Sequence, residues 1–263
     1  MRLELEKLSD SLSQSTDWNA RKALNEKFTQ LFGKALEAGK GTIPGIQSIQ
    51  TISVLHSSNG QFSAYTWELE GPSMFGYYGY IVSRKPDQKA IVFKLNDRSE
   101  EYGRAEYHTG RADDWYGALY YDMKEVEYKK ETYYLMLGIN RSKLLTKERL
   151  MEVAYVEAEL QFGKEVFNTG DRVMKKRLVF PHSTDSEMTL FFESDELVVM
   201  DHLAPLSPGY EGKFQYYVPD LSYDALKKKK GIWKFQEDYD ARLQENLKDR
   251  YFEMELKEEK NVY

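Results

Sequence analysis

The chain has 263 residues, of which 41% are hydrophobic, and this is enough for one sizeable β-rich domain with an appendage or for two small domains. Its formal net charge of −6 supplies no basic field to attract nucleic acid or anionic lipid, so we expect no nucleic-acid partner. The absence of cysteine excludes disulfides, thiolate nucleophiles and zinc–thiolate sites, and it leaves the redox compartment open.

The first residues bear on localisation. Charged side chains separate the leucines of residues 1–8, so this segment lacks the continuous apolar core of a signal peptide. No apolar run elsewhere reaches membrane-spanning length, and we therefore expect no transmembrane segment. Two interpretations stay open: a cytoplasmic protein, or the mature part of an exported protein whose Met1 is not the native start.

Residues 1–42 are predicted to form a helical N-terminal segment. Residues 15–17 offer capping oxygens, and the glycines at 39–41 end the helical pattern. Large apolar side chains recur between them at helical spacing, namely Leu24, Phe28, Leu31 and Phe32. Such a stripe usually packs on the body of its own protein, so we expect it to cover the β-rich part rather than to bind a partner.

Residues 43–242 are predicted to form an antiparallel β-rich domain. Twenty tyrosines and four tryptophans are typical of strands with one solvent-exposed face. The Asn59–Gly60 pair between two β-type runs predicts a hairpin. Further tight turns are expected at 85–87 and 194–195. The predicted strands are 49–56, 61–69, 75–83, 89–95, 116–123, 132–139, 152–156, 176–180, 187–192 and 197–202, with 143–150 as a short helix or a connection.

The fold class predicted from this order is α+β, predominantly antiparallel, as a meander sandwich, a barrel or a partial propeller. Residues 243–263 are predicted to form a C-terminal amphipathic helix or tail, because Leu243, Leu247, Tyr251 and Met254 recur among many charges. The four lysines at 227–230 are expected at a β-turn, where they would serve solvation or protect a sheet edge.

The first candidate site is the pair Asp201 and His202, at the predicted end of a strand. A carboxylate beside an imidazole can hold it in one tautomer and raise its pKa, as an acid or base catalyst requires. Side-chain capping of the turn before Pro205 is the alternative that we favour, so no catalytic residue is assigned.

The second candidate site is a predicted turn that carries Asp220, Tyr223 and Asp224 after Pro219. Its carboxylates could bind calcium, but the spacing matches no EF-hand loop, and turn formation with Tyr223 packed inward is the favoured interpretation. The Asp-x-Asp pair at 238–240 is equally weak. We therefore expect no metal and no cofactor.

The third candidate site is Asp114, Trp115 and Tyr116, with Asp113 before them. Aromatic rings flanked by carboxylates can stack on sugars and bind their hydroxyl groups. Packing in the core and rim of a sheet explains the same residues and is favoured.

Four runs resemble the signature of a family of uncharacterised exported proteins of the Bacteroidetes. They are Trp-Tyr-Gly-Ala-Leu-Tyr-Tyr at 115–121, Asp-His-Leu-Ala-Pro at 201–205, Tyr-x-Pro-Asp-x-Ser-Tyr-Asp at 217–224 and Asp-x-Asp-Ala-Arg at 238–242. The resemblance covers about residues 115–242 and brings no activity with it. It implies a periplasmic or envelope-associated protein.

The function expected from these observations is binding or assembly in the cell envelope rather than catalysis, with another envelope protein as the partner. The resemblance also suggests an association with the outer-membrane protein-export machinery. The alternative is a carbohydrate-active enzyme or a glycan-binding protein that uses an aromatic and carboxylate cleft. A deep cleft with two carboxyl groups at glycosidase separation would favour the enzyme, and a flat aromatic patch would favour the interaction protein.

Overall fold

The computed structural model describes residues 1–85, 88–141 and 145–240. Two helices, α1 (Arg2–Gln14) and α2 (Trp18–Ala38), precede the strands. The strands are β1 (Ser53–His56), β2 (Phe62–Glu70), β3 (Phe75–Ser83), β4 (Ile91–Asn96), β5 (Gly110–Arg111), β6 (Leu119–Tyr128), β7 (Glu131–Asn140), β8 (Thr146–Val156), β9 (Leu160–Phe162), β10 (Phe167–Asn168), β11 (Leu178–Ser183), β12 (Leu190–Ser194), β13 (Leu197–Pro205), β14 (Tyr217–Lys229) and β15 (Ile232–Gln236).

The strands form three open sheets. The first has the order β1-β2-β3-β4, and the central sheet has the order β5-β9-β8-β7-β6 with β11 also paired to β8. The third has the order β10-β15-β14-β13-β12, in which β10 and β15 run parallel and the other pairs are antiparallel. The fold is therefore α+β with a predominantly antiparallel sandwich, which is one of the three arrangements expected from the sequence.

The N-terminal helices pack on the first sheet. The carboxylate of Asp17 caps α2 by accepting a hydrogen bond from the Ala20 backbone N–H at 2.7 Å. Phe28 and Phe32 are fully buried, and their ring centroids lie 5.3 and 5.5 Å from that of Trp67 on β2. Leu24 and Leu31 pack beside them, half-buried. The expectation that this stripe covers the β-rich body is confirmed.

The layers follow from the period-two alternation of the strands. On β2, Tyr65 and Trp67 face the helices, whereas Phe62 and Ala64 face the central sheet. On β7, Tyr134 and Met136 pack toward the first sheet, whereas Tyr133, Leu135 and Leu137 pack toward the third. The central sheet is thus covered on both faces, which explains the continuous apolar run of β7.

Several strand predictions hold. The predicted strand 75–83 matches β3, and the Asn59–Gly60 pair joins β1 and β2 in an antiparallel hairpin with Gly60 at a φ of 67°. The turn expected at 194–195 connects β12 to β13. These elements are local, so the residues that define them are close together in the chain.

Other predictions are wrong. Only residues 53–56 of the predicted strand 49–56 form a strand, because residues 49–52 form a turn and a bend, and most of the segment 143–150 belongs to β8. The lysines expected at a β-turn lie mainly in β14, and only Lys230 occupies the turn to β15, with a φ of 52°. The long strand β14 itself replaces the turn predicted around Asp220.

Two of the predictions lie partly or wholly outside the described residues. The expected turn at 85–87 falls partly there, and the C-terminal helix or tail at 243–263 falls there entirely. Among the helices that the structure describes, none has the length and apolarity needed to cross a membrane.

Candidate functional site: a cleft between the central and third sheets

A cleft of about 660 Å³ opens where the edge of the central sheet meets the third sheet. One side comes from β8 and β11, the other from β13, β14 and β15, and two irregular segments close the ends, at 102–106 and 212–217. The volume lies in the range of small-molecule sites, which are concave, largely apolar and lined by a few polar groups. Half of its lining residues are aromatic or acidic.

His202 and Asp224 form a hydrogen-bonded pair in this cleft. Met200 on β13 pairs with Asp224 on β14, and His202 is two residues further along, so the two side chains lie diagonally on one face. The His202 Nδ1 atom is 2.9 Å from Asp224 Oδ2, and Asp224 Oδ1 accepts a hydrogen bond from the Asp238 backbone N–H at 3.2 Å. Asp224 is buried and His202 is half-exposed, so the carboxylate fixes the orientation of the imidazole.

Opposing effects act on the pKa of His202. Burial is the largest and lowers the pKa, but the hydrogen bond and the charge of Asp224 raise it, with help from Asp220 and Asp238. The net effect is a pKa above the ordinary value, so His202 takes up a proton more readily than a free imidazole.

A bulge shapes this part of β14. Asp201 pairs with Tyr223, and Leu203 pairs with Pro219, so His202 lies opposite three residues of the neighbouring strand, 220–222. Leu221 has a φ of 74° and is 90% exposed. His202 therefore lies inside β13 beside a bulge, and its predicted position at a strand end is wrong.

Glu148 and Tyr116 form a second polar pair in the lining. Tyr116 donates a hydrogen bond from its hydroxyl to Glu148 Oε2 at 2.5 Å, and both residues are almost completely buried. Burial, followed by the charge of Glu148, raises the pKa of Tyr116 far above its ordinary value, so the phenol remains protonated. The pair presents a carboxylate at the floor of the cleft with its position fixed.

A buried ion pair supports this floor. Arg177 Nε donates to Glu152 Oε2 at 2.5 Å, and both side chains have 0% exposure. The guanidinium lies 5.4 and 5.1 Å from the ring centroids of Tyr102 and Tyr116, both of which line the cleft. Arg177 also donates from Nη1 to the Ala105 carbonyl at 2.5 Å, which ties the segment 102–106 to the central sheet.

An aromatic loop forms the outer side of the cleft. The connection 206–216 between β13 and β14 stacks Tyr210 on Tyr216 at a centroid distance of 4.1 Å. Phe214 packs against Tyr217 at 5.1 Å and is 45% exposed. The Tyr217 hydroxyl accepts a hydrogen bond from the Gly212 backbone N–H at 3.1 Å. The loop therefore holds aromatic rings at the cleft mouth.

The structure brings four of the eight candidate residues together. Tyr116, Asp201, His202 and Asp224 all line the cleft, although they come from separate parts of the sequence. Asp201 also accepts a hydrogen bond on Oδ2 from the Thr189 backbone N–H at 2.7 Å, so one of its oxygens has a structural role.

The other four candidates lie elsewhere. Asp114 accepts a hydrogen bond from His108 at 2.8 Å beside a separate, more polar pocket, and Trp115 is fully buried and donates to the Tyr120 hydroxyl at 2.8 Å. Asp220 accepts two hydrogen bonds from Ser222, one donated by the backbone N–H of Ser222 and one by its hydroxyl group. Tyr223 is 38% exposed, so its predicted inward packing is wrong.

Sequence reasoning missed half of the polar lining. Glu106 and Glu148 were not singled out, and neither was the supporting pair Glu152 and Arg177. A usable signal existed on β8, where Glu152 interrupts an apolar run and Glu148 lies four residues earlier, on the same face of the strand. Buried acids in such a strand need partners, and this points to a polar site.

In the part of the chain that the structure describes, no group of three or more His, Asp or Glu side chains is arranged to hold a metal ion. A scan against protein-family models finds no match for this chain, and a search of curated proteins finds no similar sequence.

Proposed function

We propose that this protein is a non-catalytic binding protein that holds its ligand in the cleft between the central and third sheets. The observation that carries the proposal is the cleft itself, in which aromatic rings and oriented carboxylates converge from five strands and three connections. Among the described lining residues there is no serine or cysteine beside His202 that an imidazole–carboxylate pair could activate as a nucleophile. The polar groups instead bond one another, which suits recognition.

We also propose that the protein works in the periplasm or at the cell envelope, and that its partner is another envelope protein. The support is the resemblance of residues 115–242 to the exported Bacteroidetes family. Three of the four runs contribute cleft residues, because Tyr116 belongs to the first, Asp201 and His202 to the second, and Asp224 to the third. An association with the outer-membrane protein-export machinery belongs to the same proposal.

A second candidate function is glycan binding or glycoside hydrolysis. It is favoured by one specific observation, the presence of Phe214 and Tyr217 in the same cleft as the carboxylates of Glu148 and Asp224. Aromatic rings stack on sugars, and carboxylates accept hydrogen bonds from sugar hydroxyl groups. Release of reducing ends from an oligosaccharide mixture, abolished by Glu148→Gln, would establish this candidate in place of the first.

Blocking the cleft tests the proposal. Gly103 lines the cleft, and a Cβ added there meets no atom within 4 Å, so Gly103→Trp places an indole at the mouth without a backbone clash. Gly209 is equally open but lies outside the lining, and Gly209→Trp is the matched control. Both variants should melt like the parent protein.

The assay is affinity capture from envelope extracts with immobilised protein. The parent protein and Gly209→Trp should retain the same partner, and Gly103→Trp should lose it. Equal retention by all three proteins would show that the cleft is not the binding site.

A further inference from the structure

The side chains that line the cleft are mainly negative in charge. Its described lining contains four carboxylates and no lysine or arginine, and His202 is its only titratable cation. The carboxylates are those of Glu106, Glu148, Asp201 and Asp224. The positive charge of Arg177 lies behind the tyrosine rings and is already paired with Glu152. An anionic ligand would therefore meet four carboxylates against a single imidazole, so the net electrostatic effect would be repulsive.

A neutral ligand meets a different difficulty. Any ligand that fills the cleft removes water from the carboxylates, and a neutral one supplies no charge to replace that hydration. Glu148 and Asp224 are already compensated in part, by Tyr116 and His202 respectively. Among the described residues no hydrogen bond or ion pair involves the carboxylate of Glu106, which is half-exposed, so its charge needs a partner when a ligand displaces water from it.

The aromatic lining suits a cation for a separate reason. Ring faces attract ammonium and guanidinium groups, and the attraction increases when water is excluded. This protein already makes that contact, because the Arg177 guanidinium lies 5.1 Å from the ring centroid of Tyr116. At the mouth, Phe214 and Tyr217 remain available, the first exposed and the second half-buried.

We propose that the ligand of this cleft presents an alkylammonium or guanidinium group, which the carboxylates of Glu106 and Asp201 bind beneath the rings of Phe214 and Tyr217. The inference rests on the proposed binding function and names its ligand class. The cation comes either from a lysine or arginine side chain of a basic peptide segment or from a free polyamine. Both sources offer the same chemistry to the cleft.

The test is calorimetric titration of the full chain with triarginine, trilysine and spermidine, and with maltotriose as the neutral probe. At least one cationic probe should bind, and maltotriose should not. Removal of one charged hydrogen-bond partner should weaken binding about tenfold, so Glu106→Gln and Asp201→Asn should each raise the Kd by that factor. Asn at 201 keeps an oxygen for the Thr189 backbone N–H, so the fold should persist.

Glu193→Gln is the matched control, because Glu193 is exposed on β12 and lies outside the lining, so it changes the net charge equally. Its Kd should stay within about twofold of the parent value. An equal loss in Glu193→Gln and Glu106→Gln would mean that only overall charge attracts the probe, and the proposal would fall. Tight binding of the tripeptides alone identifies a peptide source, whereas equal binding of spermidine identifies a free amine.

The outcomes separate the two proposals. Binding of maltotriose, but of no cationic probe, that is lost in Gly103→Trp would overturn the cationic ligand and keep the cleft as a binding site. Binding of the cations that persists in Gly103→Trp would overturn the cationic inference for this cleft. Absence of binding by every cationic probe would also overturn it, and the envelope capture experiment would then decide the proposed function independently.

Discussion

Removal of the Arg177 guanidinium should strongly destabilise the protein. In Arg177→Met the carboxylate of Glu152 stays at 0% exposure but loses the guanidinium that donates to it at 2.5 Å. A buried charge left without its partner typically costs about 3–5 kcal/mol. This is a large part of the total, since a domain of ordinary stability has about 5–15 kcal/mol.

The double variant distinguishes this cause from lost packing. Nη2 of Arg177 and Oε1 of Glu152 have no hydrogen-bond partner in the described residues, so the pair is incompletely satisfied. Replacing both residues removes the charges together, and such replacements are often neutral or stabilising. We therefore expect Arg177→Met with Glu152→Met to be at least about 2 kcal/mol more stable than either single variant.

The assay is urea unfolding followed by far-UV and near-UV circular dichroism, with a check that the m-value is unchanged. A loss below about 1 kcal/mol in Arg177→Met would refute the reasoning, since it would place the pair in contact with water. A double variant whose loss equals the sum of the two single losses would refute it as well, because independent packing defects add.

Three further predictions concern the fold around the cleft. Burial lowers the pKa of His182, so the imidazole is neutral in the folded state. The free energy of unfolding should therefore fall as the pH drops below about 6.5, because the imidazole of the unfolded chain takes up a proton there. His182→Gln should flatten this pH dependence between about pH 5 and 7. Leu221→Gly should stabilise the protein by up to about 1 kcal/mol in thermal melts, because φ is positive and the side chain is exposed, whereas Leu206→Gly, at an exposed position of ordinary φ, should not. Asp220→Ala should cost about 1 kcal/mol by removing both hydrogen bonds from Ser222, and a melting temperature equal to the parent's would contradict this.

Local elements were predictable from the sequence. The residues of β3 and of the β1–β2 hairpin carry their own signals, a β-type run in one and an Asn–Gly pair in the other. The stripe on α2 was predictable in the same way, because Phe28 and Phe32 lie one turn apart. In each case the interactions that decide the structure join residues close in the chain.

β14 was not predictable for a physical reason. Pro219 and Asp220 are typical turn residues, and Leu221 adopts a positive φ, so the local signal describes an interruption. The structure accommodates these residues in a bulge because β13 pairs with β14 both before and after it, and β15 pairs with the C-terminal part of β14. Long-range pairing thus overrides the local preference.

The cleft was only half predictable. Asp201 and His202 could be predicted as a candidate site because they are neighbours in the sequence, and Asp224 because it belongs to a nearby motif. Glu148 comes from a distant strand and reaches the same cleft only because β8 pairs with β11 at the edge of the central sheet. The spacing of Glu148 and Glu152 marks a polar position on β8, but nothing in the sequence shows that Glu148 meets His202 and Asp224.

Site-specific photocrosslinking tests the central claim most directly, since it captures whatever occupies the cleft, whether that ligand is a protein, a peptide or a glycan. A photoreactive phenylalanine analogue replaces Phe214 at the cleft mouth, and the same analogue at Ile91, exposed on β4 of the first sheet, is the control. If the ligand binds in the cleft, irradiation in envelope extracts should give a discrete adduct from position 214, and this adduct should disappear in Gly103→Trp. Position 91 should give no adduct. A discrete adduct from position 91 with none from position 214 would contradict the account, because the binding surface would then lie on the first sheet.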